Sequence, residues 1–527
     1  MRGPVSRVLL SAVLCLSSAA AQSHPAAAPS SDDLQSSLKK FTSFLDVVEQ
    51  NFADSVDTDR AIYRGAIPTM LRTLDPHSTF FDPKAYQLLR EDQAGHYFGV
   101  GMLVGAPEGK VIVMYPFQGS PAYKAGLRPG DTILSVNGAS CVGLDIPAVS
   151  NMLKGPRGTR AHIEVARSGH DGALAFNVIR GEVERDSVTH SFWIQPGIAY
   201  IKVEGFNENT GHEFEKALND LGEPNINGLV LDLRDNPGGI LQEAVSVADH
   251  FLRKGQTIVT HHGRASEETT FTAKRGERGR QYPIVVVVNR SSASAAEILA
   301  GALQDHDRAW VLGENTFGKG LVQAPYPLSE NTALLLTIAR YYTPSGRLIQ
   351  RDYEHRSFYE YYSRLDGHNN AKDMKKTDSG RTVYGGDGIT PDERYEYPSL
   401  SAYESDISAN LTMFFFATEY FGSHPASLDR HWKPNGELLA DFRAFAAKRG
   451  FTATDSGYHA DLDWIRERLR EEMFVTAFSK EESEQVALEN DPEIARALSA
   501  IPASRALLDK ARQTMARKGG GKSAVEE

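Results

Sequence analysis

A buried strand that runs directly into a helix is the feature that most constrains this chain. Residues 283–289 read PIVVVVN, and an unbroken β-branched run of this kind is typical of a strand covered on both faces. Small residues follow at positions 292–295, and apolar residues then recur at helical spacing from Ile298 to Leu303. Ser294 therefore lies where a buried strand becomes a helix, and the unpaired backbone N–H groups of a helix start can stabilise negative charge on a substrate oxygen.

Two interpretations of Ser294 are open at this point. In the first, Ser294 and Glu297 form a capping box, S-x-x-E, which is a far commoner use of a serine before a helix than catalysis. In the second, the Ser294 hydroxyl is a nucleophile, which requires a neighbouring base to remove its proton. The segment alone does not decide between them.

Lys319 is the candidate base. Glycines flank it, and its apolar neighbours favour burial, which would keep the amine neutral near neutral pH. If residues 320–325 are extended, Lys319 and Gln323 point to the same side of the strand, because side chains alternate with a period of two. The alternative interpretation is an exposed lysine in a glycine turn.

The spacing from Ser294 to Lys319, the run GENTFGKGLVQ around the lysine and the run DLRDNPGG at residues 232–239 together resemble the carboxy-terminal processing peptidases, serine proteases with a Ser/Lys dyad. Residues 74–83, 333–350 and 386–392 add to the resemblance. The resemblance implies five catalytic residues: the nucleophile Ser294, the base Lys319, Gln323 as the residue that orients the lysine amine, and Gly238 and Ala295 as backbone donors of an oxyanion hole. Ala296 stands where many relatives carry a serine, which leaves the nucleophile position unchanged.

Residues 96–185 resemble a PDZ domain, a module that pairs an extended peptide with a sheet edge and captures its terminal carboxylate in a glycine-containing loop. The matching loop consists of Phe98, Gly99, Val100 and Gly101. Val149, Met152 and Leu153 either line the peptide groove or belong to the core of the module.

Beyond residue 185, buried strands and amphipathic helices alternate, which predicts a mainly parallel sheet with crossover helices. The predicted fold class is multi-domain α/β and α+β: a PDZ domain and an α/β protease core, crotonase-like by family resemblance, between helical N- and C-terminal regions. The predicted boundaries are 1–21 for a signal peptide, 22–95 for a leader and helical region, 96–185 for the PDZ domain, 186–393 for the protease core, 394–517 for a C-terminal helical extension and 518–527 for a disordered tail.

Residues 1–21 combine Arg2 and Arg7 with a short apolar run and a terminal triplet of alanines, a pattern typical of a secretory signal. A single membrane anchor is the alternative, and the shortness of the run disfavours it. Cleavage would leave Cys141 alone, so no internal disulfide is expected. The formal net charge is −11 and no basic stripe is present, which excludes nucleic acid as an expected partner. No later apolar run is long enough to span a membrane.

These features predict an exported endopeptidase, periplasmic or extracellular, that cuts unfolded or tail-exposed proteins near their C-termini without a metal or cofactor. Its partner is a protein or peptide with a free C-terminus, and a homo-oligomer or an adaptor protein is left open. The alternative is a non-catalytic peptide-binding PDZ scaffold with a retained protease-like core. A Ser/His/Asp hydrolase that uses His306 is disfavoured, because about three helical turns, roughly 18 Å, would separate His306 from Ser294.

Overall fold

The structure is a computed structural model that describes residues 31–277, 280–363, 370–424 and 428–520. The predicted signal segment, nearly all of the predicted leader and residues 521–527 of the predicted tail lie outside the described residues. The chain divides into two compact units, residues 1–69 and residues 70–527. In the described part of the chain, no helix combines the length and the apolar character that crossing a membrane requires.

Helices form the described part of the first unit, as the helical spacing of its apolar residues predicts. The elements are α1 (Ser31–Asn51), α2 (Thr58–Arg60) and a π-helical turn (Ala61–Ala66), and α3 (Ile67–Arg72) begins in this unit. The Asp57 carboxylate accepts a hydrogen bond from the Arg60 N–H and so caps α2.

The second unit begins with β1 (Thr79–Phe81) and α4 (Pro83–Ala94). The second Asp-Pro pair of the LDPHSTFFDP run starts α4: the Asp82 carboxylate accepts from the Ala85 N–H, and Pro83 occupies the first turn, where its missing N–H costs nothing. β1 pairs antiparallel with residues 333–335, far along the chain. A segment that precedes the PDZ domain in sequence therefore belongs to a sheet of the protease core.

The PDZ domain consists of a sheet, a two-stranded ribbon and two short helices. Its elements are β2 (His96–Gly99), β3 (Met102–Gly105), β4 (Ile112–Pro116), α5 (Pro121–Ala125), β5 (Thr132–Val136), β6 (Ala139–Ser140), α6 (Ile146–Leu153), β7 (Arg160–Ala166), β8 (Leu174–Ile179) and β9 (Gly181–Glu184), with a 3₁₀ turn at Pro107–Gly109. The sheet order is β3-β4-β5-β7-β8 with β6 on β5, and β2 pairs with β9. Cys141 is buried in the core of this domain.

The protease core alternates strands and helices. Its elements are β10 (Val188–Gln195), β11 (Ile198–Val203), α7 (Thr210–Asp220), β12 (Gly228–Asp232), α8 (Leu241–Asp249), β13 (Thr257–Gly263), β14 (Ser266–Thr272), β15 (Ile284–Val288), α9 (Ala295–Asp305), β16 (Trp310–Gly313), β17 (Leu321–Pro327), β18 (Ala333–Tyr342), α10 (Phe358–Ser363), β19 (Asn370–Lys376), β20 (Thr382–Gly385) and β21 (Glu393–Arg394), with 3₁₀ turns at Glu223–Asn225 and Ser329–Asn331.

The central sheet has the order β10-β11-β12-β15-β16-β21, and every pair except β10 with β11 is parallel. All residues of β12 and β15 are buried, as expected for strands covered on both faces. The predicted combination of a PDZ domain, an α/β core and helical ends is confirmed, while the crotonase-like designation stays a prediction. A second sheet has the order β1-β18-β13-β14, and β17 pairs with β18.

Residues 351–383 are polar and rich in tyrosine, which predicts an irregular insertion. That prediction is wrong in part, because α10, β19 and the start of β20 lie in this segment. Its polar composition was misleading, because several of its charged residues are paired inside the fold. Arg381, for example, binds Asp307 and Asp392 and lies largely buried. A charged residue counts as a surface signal only when it has no buried partner.

The C-terminal region is helical, as predicted. Its helices are α11 (Ala402–Ala409), α12 (Thr412–Ser423), α13 (Gly436–Lys448), α14 (Asp455–Ala460), α15 (Leu462–Ala477), α16 (Lys480–Glu489) and α17 (Pro492–Gly520). Helices α11 to α15 share a hydrophobic core of their own. In contrast, α17 packs through Ile494, Ala497 and Ala500 on the central sheet, against residues such as Val230 and Val285. The sheet is therefore covered by α7, α8 and α9 on one face and by α17 on the other.

Candidate active site

The candidate site lies at the edge of the central sheet where β12 and β15 end. Neighbouring parallel strands end at the same edge, so the turn after β12 and the turn after β15 meet there. The Ala293 N–H donates to the Asn236 carbonyl (2.9 Å), and the Ser292 hydroxyl donates to the Leu233 carbonyl (2.7 Å). Two runs that lie about sixty residues apart in sequence therefore form one rigid structure.

Ser294 occupies the sharp turn between β15 and α9. Its backbone has φ 55° and ψ −113°, a conformation that is costly for a residue with a Cβ atom. Strain of this kind is stored where the surrounding structure requires it, and a serine on a strained strand-to-helix turn is one recurring way to present a nucleophile. The backbone therefore adds to the second interpretation of Ser294 an observation that a simple capping box would not require.

Glu297 links the two candidate catalytic residues through their main chains. Its side chain is fully buried, and one carboxylate oxygen accepts from both the Ser294 N–H (2.8 Å) and the Lys319 N–H (2.9 Å). The other oxygen accepts from the Gly318 N–H (2.8 Å) and the Thr316 hydroxyl (2.5 Å). Burial raises the pKa of Glu297, and these four donors oppose that shift. Because one oxygen atom binds both nitrogens, the backbones of Ser294 and Lys319 meet at this carboxylate.

Tyr341 of β18 holds the same two backbones from another side. Its hydroxyl oxygen lies 2.9 Å from the Ser294 carbonyl and 2.6 Å from the Lys319 carbonyl, so the two acceptors share one donor. Burial raises the pKa of Tyr341 well above its ordinary value, which keeps the hydroxyl protonated. The sequence offered no signal for this role, since Tyr341 reads as an ordinary strand residue in a run rich in apolar and aromatic side chains.

Lys319 precedes β17 and is mostly buried. Burial lowers the pKa of its amine, while Glu297 and Asp75 act in the opposite direction. Among the described residues, the Lys319 amine has no hydrogen-bond or ion-pair partner, and it is not hydrogen-bonded to the Ser294 hydroxyl; the bonds of Lys319 to Glu297 and Tyr341 are made by its backbone. The interpretation of Lys319 as an exposed turn residue is therefore wrong, and the amine has the low-dielectric surroundings that a neutral lysine base requires.

The position of Gln323 departs from the strict alternation of side chains that the sequence predicts for residues 320–325. β17 begins at Leu321, and its register against β18 shifts between Val322 and Gln323, which interrupts the strict period of two. The Gln323 amide nitrogen donates to the His77 carbonyl (2.8 Å). Gln323 therefore connects β17 to the loop that precedes β1.

That loop, residues 75–78, packs beside Lys319 and was not predicted to do so. The Asp75 carboxylate accepts from the backbone N–H groups of His77 and Ser78, both at 2.7 Å, and from the Ser78 hydroxyl. The His77 ring forms edge contacts with Phe317 and Tyr361, and its Nε2 lies 2.7 Å from the Tyr361 hydroxyl. Burial, and then the charge of Lys319, lower the pKa of His77 to about 4. A histidine in a loop with two Asp-Pro pairs predicts a structural role, and only the pairing of β1 with β18 brings His77 to this site.

Gly238 and Ala295 lie together as the predicted oxyanion donors must. A Cβ atom on Gly238 would lie 2.7 Å from the Ser294 Cβ atom and 2.8 Å from the Ala295 nitrogen, so only glycine fits, and its φ of 98° also favours glycine. However, the Gly238 N–H donates to the Asn236 side-chain oxygen (2.8 Å), and the Asn236 amide nitrogen donates to the Val203 carbonyl (2.8 Å). One of the two predicted donors is thus already bound inside the protein.

The predicted PDZ loop is only partly a loop, because Phe98 and Gly99 end β2 and pair with β9, while Val100 and Gly101 lie between β2 and β3. Phe98 is 39% exposed, whereas Val100 is 2% exposed, and the Val100 and Gly101 carbonyls bind α5 and the turn before it. β3, which follows the loop, is an edge strand of its sheet and has α6 beside it. On α6, Val149 and Leu153 are core residues, while Met152 is only partly buried.

His306 does not join this site. It ends α9, and its two ring nitrogens lie 2.8 Å from Asp378 and 2.7 Å from the Thr257 carbonyl. These partners belong to the far end of α9 from Ser294, which leaves the Ser/His/Asp alternative without a geometric basis. Within the residues that the structure describes, no group of three His, Cys, Asp or Glu side chains is arranged to hold a metal ion.

Comparison with known proteins gives the following matches. The model of peptidase family S41 matches residues 197–354, and a PDZ domain model matches residues 112–167. The carboxy-terminal-processing protease of Bartonella bacilliformis is 36% identical over 322 residues, which cover 60% of this chain and 74% of that protein. The carboxy-terminal processing protease CtpB of Bacillus subtilis is 33% identical over 62% of this chain and 68% of its own. Among solved structures, the photosystem II D1 C-terminal processing protease aligns with 68% of this chain and 86% of its own, at 26% identity and a TM-score of 0.37.

Proposed function

This chain belongs to the carboxy-terminal processing proteases, and we propose that it is an exported serine endopeptidase that cleaves unfolded or tail-exposed proteins near their C-termini with a Ser294/Lys319 dyad. One observation carries the proposal. The backbones of the strained Ser294 and the buried Lys319 share the Glu297 carboxylate and the Tyr341 hydroxyl as binding partners. No capping role of Ser294 requires a buried lysine with a lowered pKa at the same carboxylate.

In the proposed reaction, the Ser294 Oγ atom attacks the carbonyl carbon of the scissile peptide bond, and its proton passes to the neutral Lys319 amine. The tetrahedral intermediate collapses when the resulting ammonium group gives that proton to the leaving amine, and an ester on Ser294 remains. Lys319 then takes a proton from a water molecule, whose oxygen attacks the ester, and the proton returns to Ser294 as the acid product leaves.

Gln323 is proposed to orient the lysine amine. Its amide nitrogen is committed to the His77 carbonyl, so its side-chain oxygen is the atom that would accept a hydrogen bond from the Lys319 amine. The hydrogen bond from Gln323 to the His77 carbonyl also holds residues 75–78 beside Lys319. In this role Gln323 keeps the amine pointed at Ser294 and keeps water away from it.

The oxyanion is proposed to bind the Ala295 N–H at the start of α9 and the Gly238 N–H. For Gly238 to take part, its N–H has to exchange the neutral Asn236 oxygen for the oxyanion of the intermediate. The exchange is favourable in principle, because a charged acceptor forms a stronger hydrogen bond than an amide oxygen does. The geometry described above would then be that of the enzyme without substrate, and substrate binding would complete the oxyanion hole.

The PDZ domain is proposed to bind or gate the C-terminal tail of the substrate. β3 has β4 on one side only, and its other edge faces α6, so an extended peptide can add to β3 by main-chain pairing. Residues 98–101 precede that edge and would receive the terminal carboxylate.

The proposal of export rests on the secretory pattern of residues 1–21, and export would place the activity outside the cytoplasm.

The test uses an unfolded, carboxymethylated protein as substrate and mass spectrometry of the products. Ser294→Ala and Lys319→Ala are each expected to lower the turnover by at least about a thousandfold while the protein stays folded, because the nucleophile and its base act as one unit. Lys216→Ala is the matched control, since Lys216 is an exposed lysine of α7, and it is expected to keep the wild-type rate. Residual cleavage by Ser294→Ala would contradict the dyad. Peptide binding by a folded wild type that cleaves nothing would favour the non-catalytic scaffold.

A further inference from the structure

The last helix, α17, is an integral part of the protease core. Ile494, Ala497 and Ala500 pack on the central sheet, and the Ser504 hydroxyl binds both the backbone N–H (3.1 Å) and the carbonyl (2.7 Å) of Ile284 in β15. A helix whose apolar side is buried and whose hydroxyl is bound to the sheet has one fixed register against it. The residues at the N-terminus of α17 are therefore held in fixed positions relative to β12 and β15.

Two acids at that N-terminus bind Arg234, which follows β12. The Arg234 Nη1 atom donates to Asp491 (2.7 Å) and to Glu493 (2.9 Å), and also to the Tyr397 hydroxyl (2.7 Å). The other edge of the guanidinium binds the buried Asp232 carboxylate with distances of 2.6 to 3.0 Å. The Arg234 side chain is 12% exposed, that of Asp491 15% and that of Glu493 1%. One planar guanidinium thus joins the strand to the C-terminal helix through pairs that water screens weakly.

Arg234 immediately precedes the turn that carries the candidate oxyanion donor. The next residue, Asp235, has φ 62°, and its backbone N–H and carboxylate both bind the Asn289 side chain at the end of β15. Asn236 is fully buried and binds Gly238 and Val203, as described above. A rotation of Arg234 would therefore be transmitted to Gly238, where an added Cβ atom would lie less than 3 Å from Ser294 and Ala295.

We propose that Asp491 and Glu493 are positioning residues of the active site: by holding Arg234 they set the turn of residues 235–239 against Ser294. The two acids at the start of α17 then act on the turn beside Ser294, although they lie beyond the segments that match the family models. This inference rests on the proposed function, because it assigns Gly238 a place in the oxyanion hole. Burial also raises the pKa of Glu493 to about 7, and the charge of Arg234 opposes that shift.

The test compares Asp491→Asn/Glu493→Gln with the wild type in the full chain. The substitutions keep the shapes of both side chains and remove their charges. We expect kcat for the unfolded test protein to fall about tenfold with KM unchanged within about twofold, because the turn is misplaced but substrate binding is not. The rate at which a fluorophosphonate labels Ser294 is expected to fall by a similar factor. In that reaction the Ser294 oxygen attacks phosphorus, its proton passes to the Lys319 amine, fluoride leaves and the phosphoryl oxygen occupies the oxyanion hole.

Two further variants separate positioning from general stability. Glu493→Asp keeps the charge and is expected to retain more activity than Glu493→Gln alone. Arg496→Ala removes an exposed ion pair with Glu393 one turn further along α17 and is expected to leave both rates unchanged. Thermal unfolding is followed for every variant.

Wild-type rates in a folded Asp491→Asn/Glu493→Gln protein would overturn the inference while leaving the proposed function intact, provided that Ser294→Ala is inactive in the same assay. Loss of the fold in both Glu493→Gln and the double variant would make the pair purely structural and would also overturn it. A wild type that neither cleaves nor reacts with the fluorophosphonate would instead overturn the proposed function itself.

Discussion

The surroundings of Ser294 and those of Lys319 are built from very different distances along the chain. Ser294 is held mainly by its own strand-turn-helix segment and by the turn of the adjacent parallel strand, as in the bond from Ala293 to Asn236. Residues 75–78 lie beside the amine of Lys319, and the His77 ring in turn contacts Tyr361 of α10. Residues 75–78 and Tyr361 lie on opposite sides of Lys319 in sequence. The proposed nucleophile therefore depends on local backbone geometry, and the proposed base depends on tertiary burial.

The site can therefore be divided into a Ser294 half, which is the strained turn and its partners, and a Lys319 half, which is the buried amine and its surroundings. The difference between them predicts which substitutions affect each half. A change that disturbs the Ser294 turn should abolish the chemistry at every pH, because it misplaces reacting atoms. A change that lets water reach Lys319 should act through the pKa of the amine and should be partly compensated at high pH. Glu297 belongs to both halves, because its carboxylate binds both backbones.

The largest effect is expected from Gly238→Ala, which disturbs only the Ser294 half of the site. The added methyl group would lie 2.7 Å from the Ser294 Cβ atom, so the turn or the serine has to move. Activity should fall by a factor of about a hundred or more at all pH values, the range observed when an oxyanion donor is lost. Gly255→Ala is the matched control, since Gly255 has a similar φ of 88° but open space at the Cβ position. Equal activity of the two variants would show that close packing at position 238 is unimportant.

Glu297→Gln should rank next, because it disturbs both halves together. The amide group would present donor hydrogens to N–H groups that now donate to a carboxylate, which leaves buried donors unsatisfied. We expect a loss of activity of about thirtyfold to a hundredfold together with a lower melting temperature. The measurement is kcat at several pH values beside thermal unfolding.

Glu404→Gln provides the control for that variant. Ser401 and Glu404 form a partly buried capping box at the start of α11, the same S-x-x-E pattern as Ser294 and Glu297. They lie far from the candidate site in sequence, on a helix that packs in a separate hydrophobic core. Glu404→Gln is expected to lower stability and leave kcat unchanged. If both variants lose only stability, the Ser294 pattern is no more than a helix cap.

The same division explains what the sequence could predict. The β12 and β15 strands and the helix after Ser294 are continuous stretches, and their patterns predicted them. The family resemblance implied that Gly238 and Ala295 act together, and the structure has Gly238 packed closely on Ser294 and Ala295. Three other contacts join residues far apart in the chain: the bond of Tyr341 to Lys319, the packing of His77 beside Lys319, and the ion pairs of α17 with Arg234. No periodicity records such contacts, because a tyrosine in a strand or an acid at a helix start looks the same with or without a distant partner.

His77→Ala should have the smallest effect and the most informative one, because it acts on the Lys319 half through water access. His77 has a pKa of about 4, so it is neutral near pH 7, and its removal takes away packing beside the amine rather than charge. The pKa of Lys319 should rise toward the value of an exposed lysine, so the limb on which activity increases with pH should move to higher pH. We expect a loss of about threefold to tenfold at pH 7 that shrinks as the pH rises, since only the neutral amine is a base. His262→Ala, which removes an exposed ring stacked on Tyr342, should leave the pH profile unchanged. A uniform loss in His77→Ala at every pH would mean that the loop positions the serine instead and that the two halves are not separable.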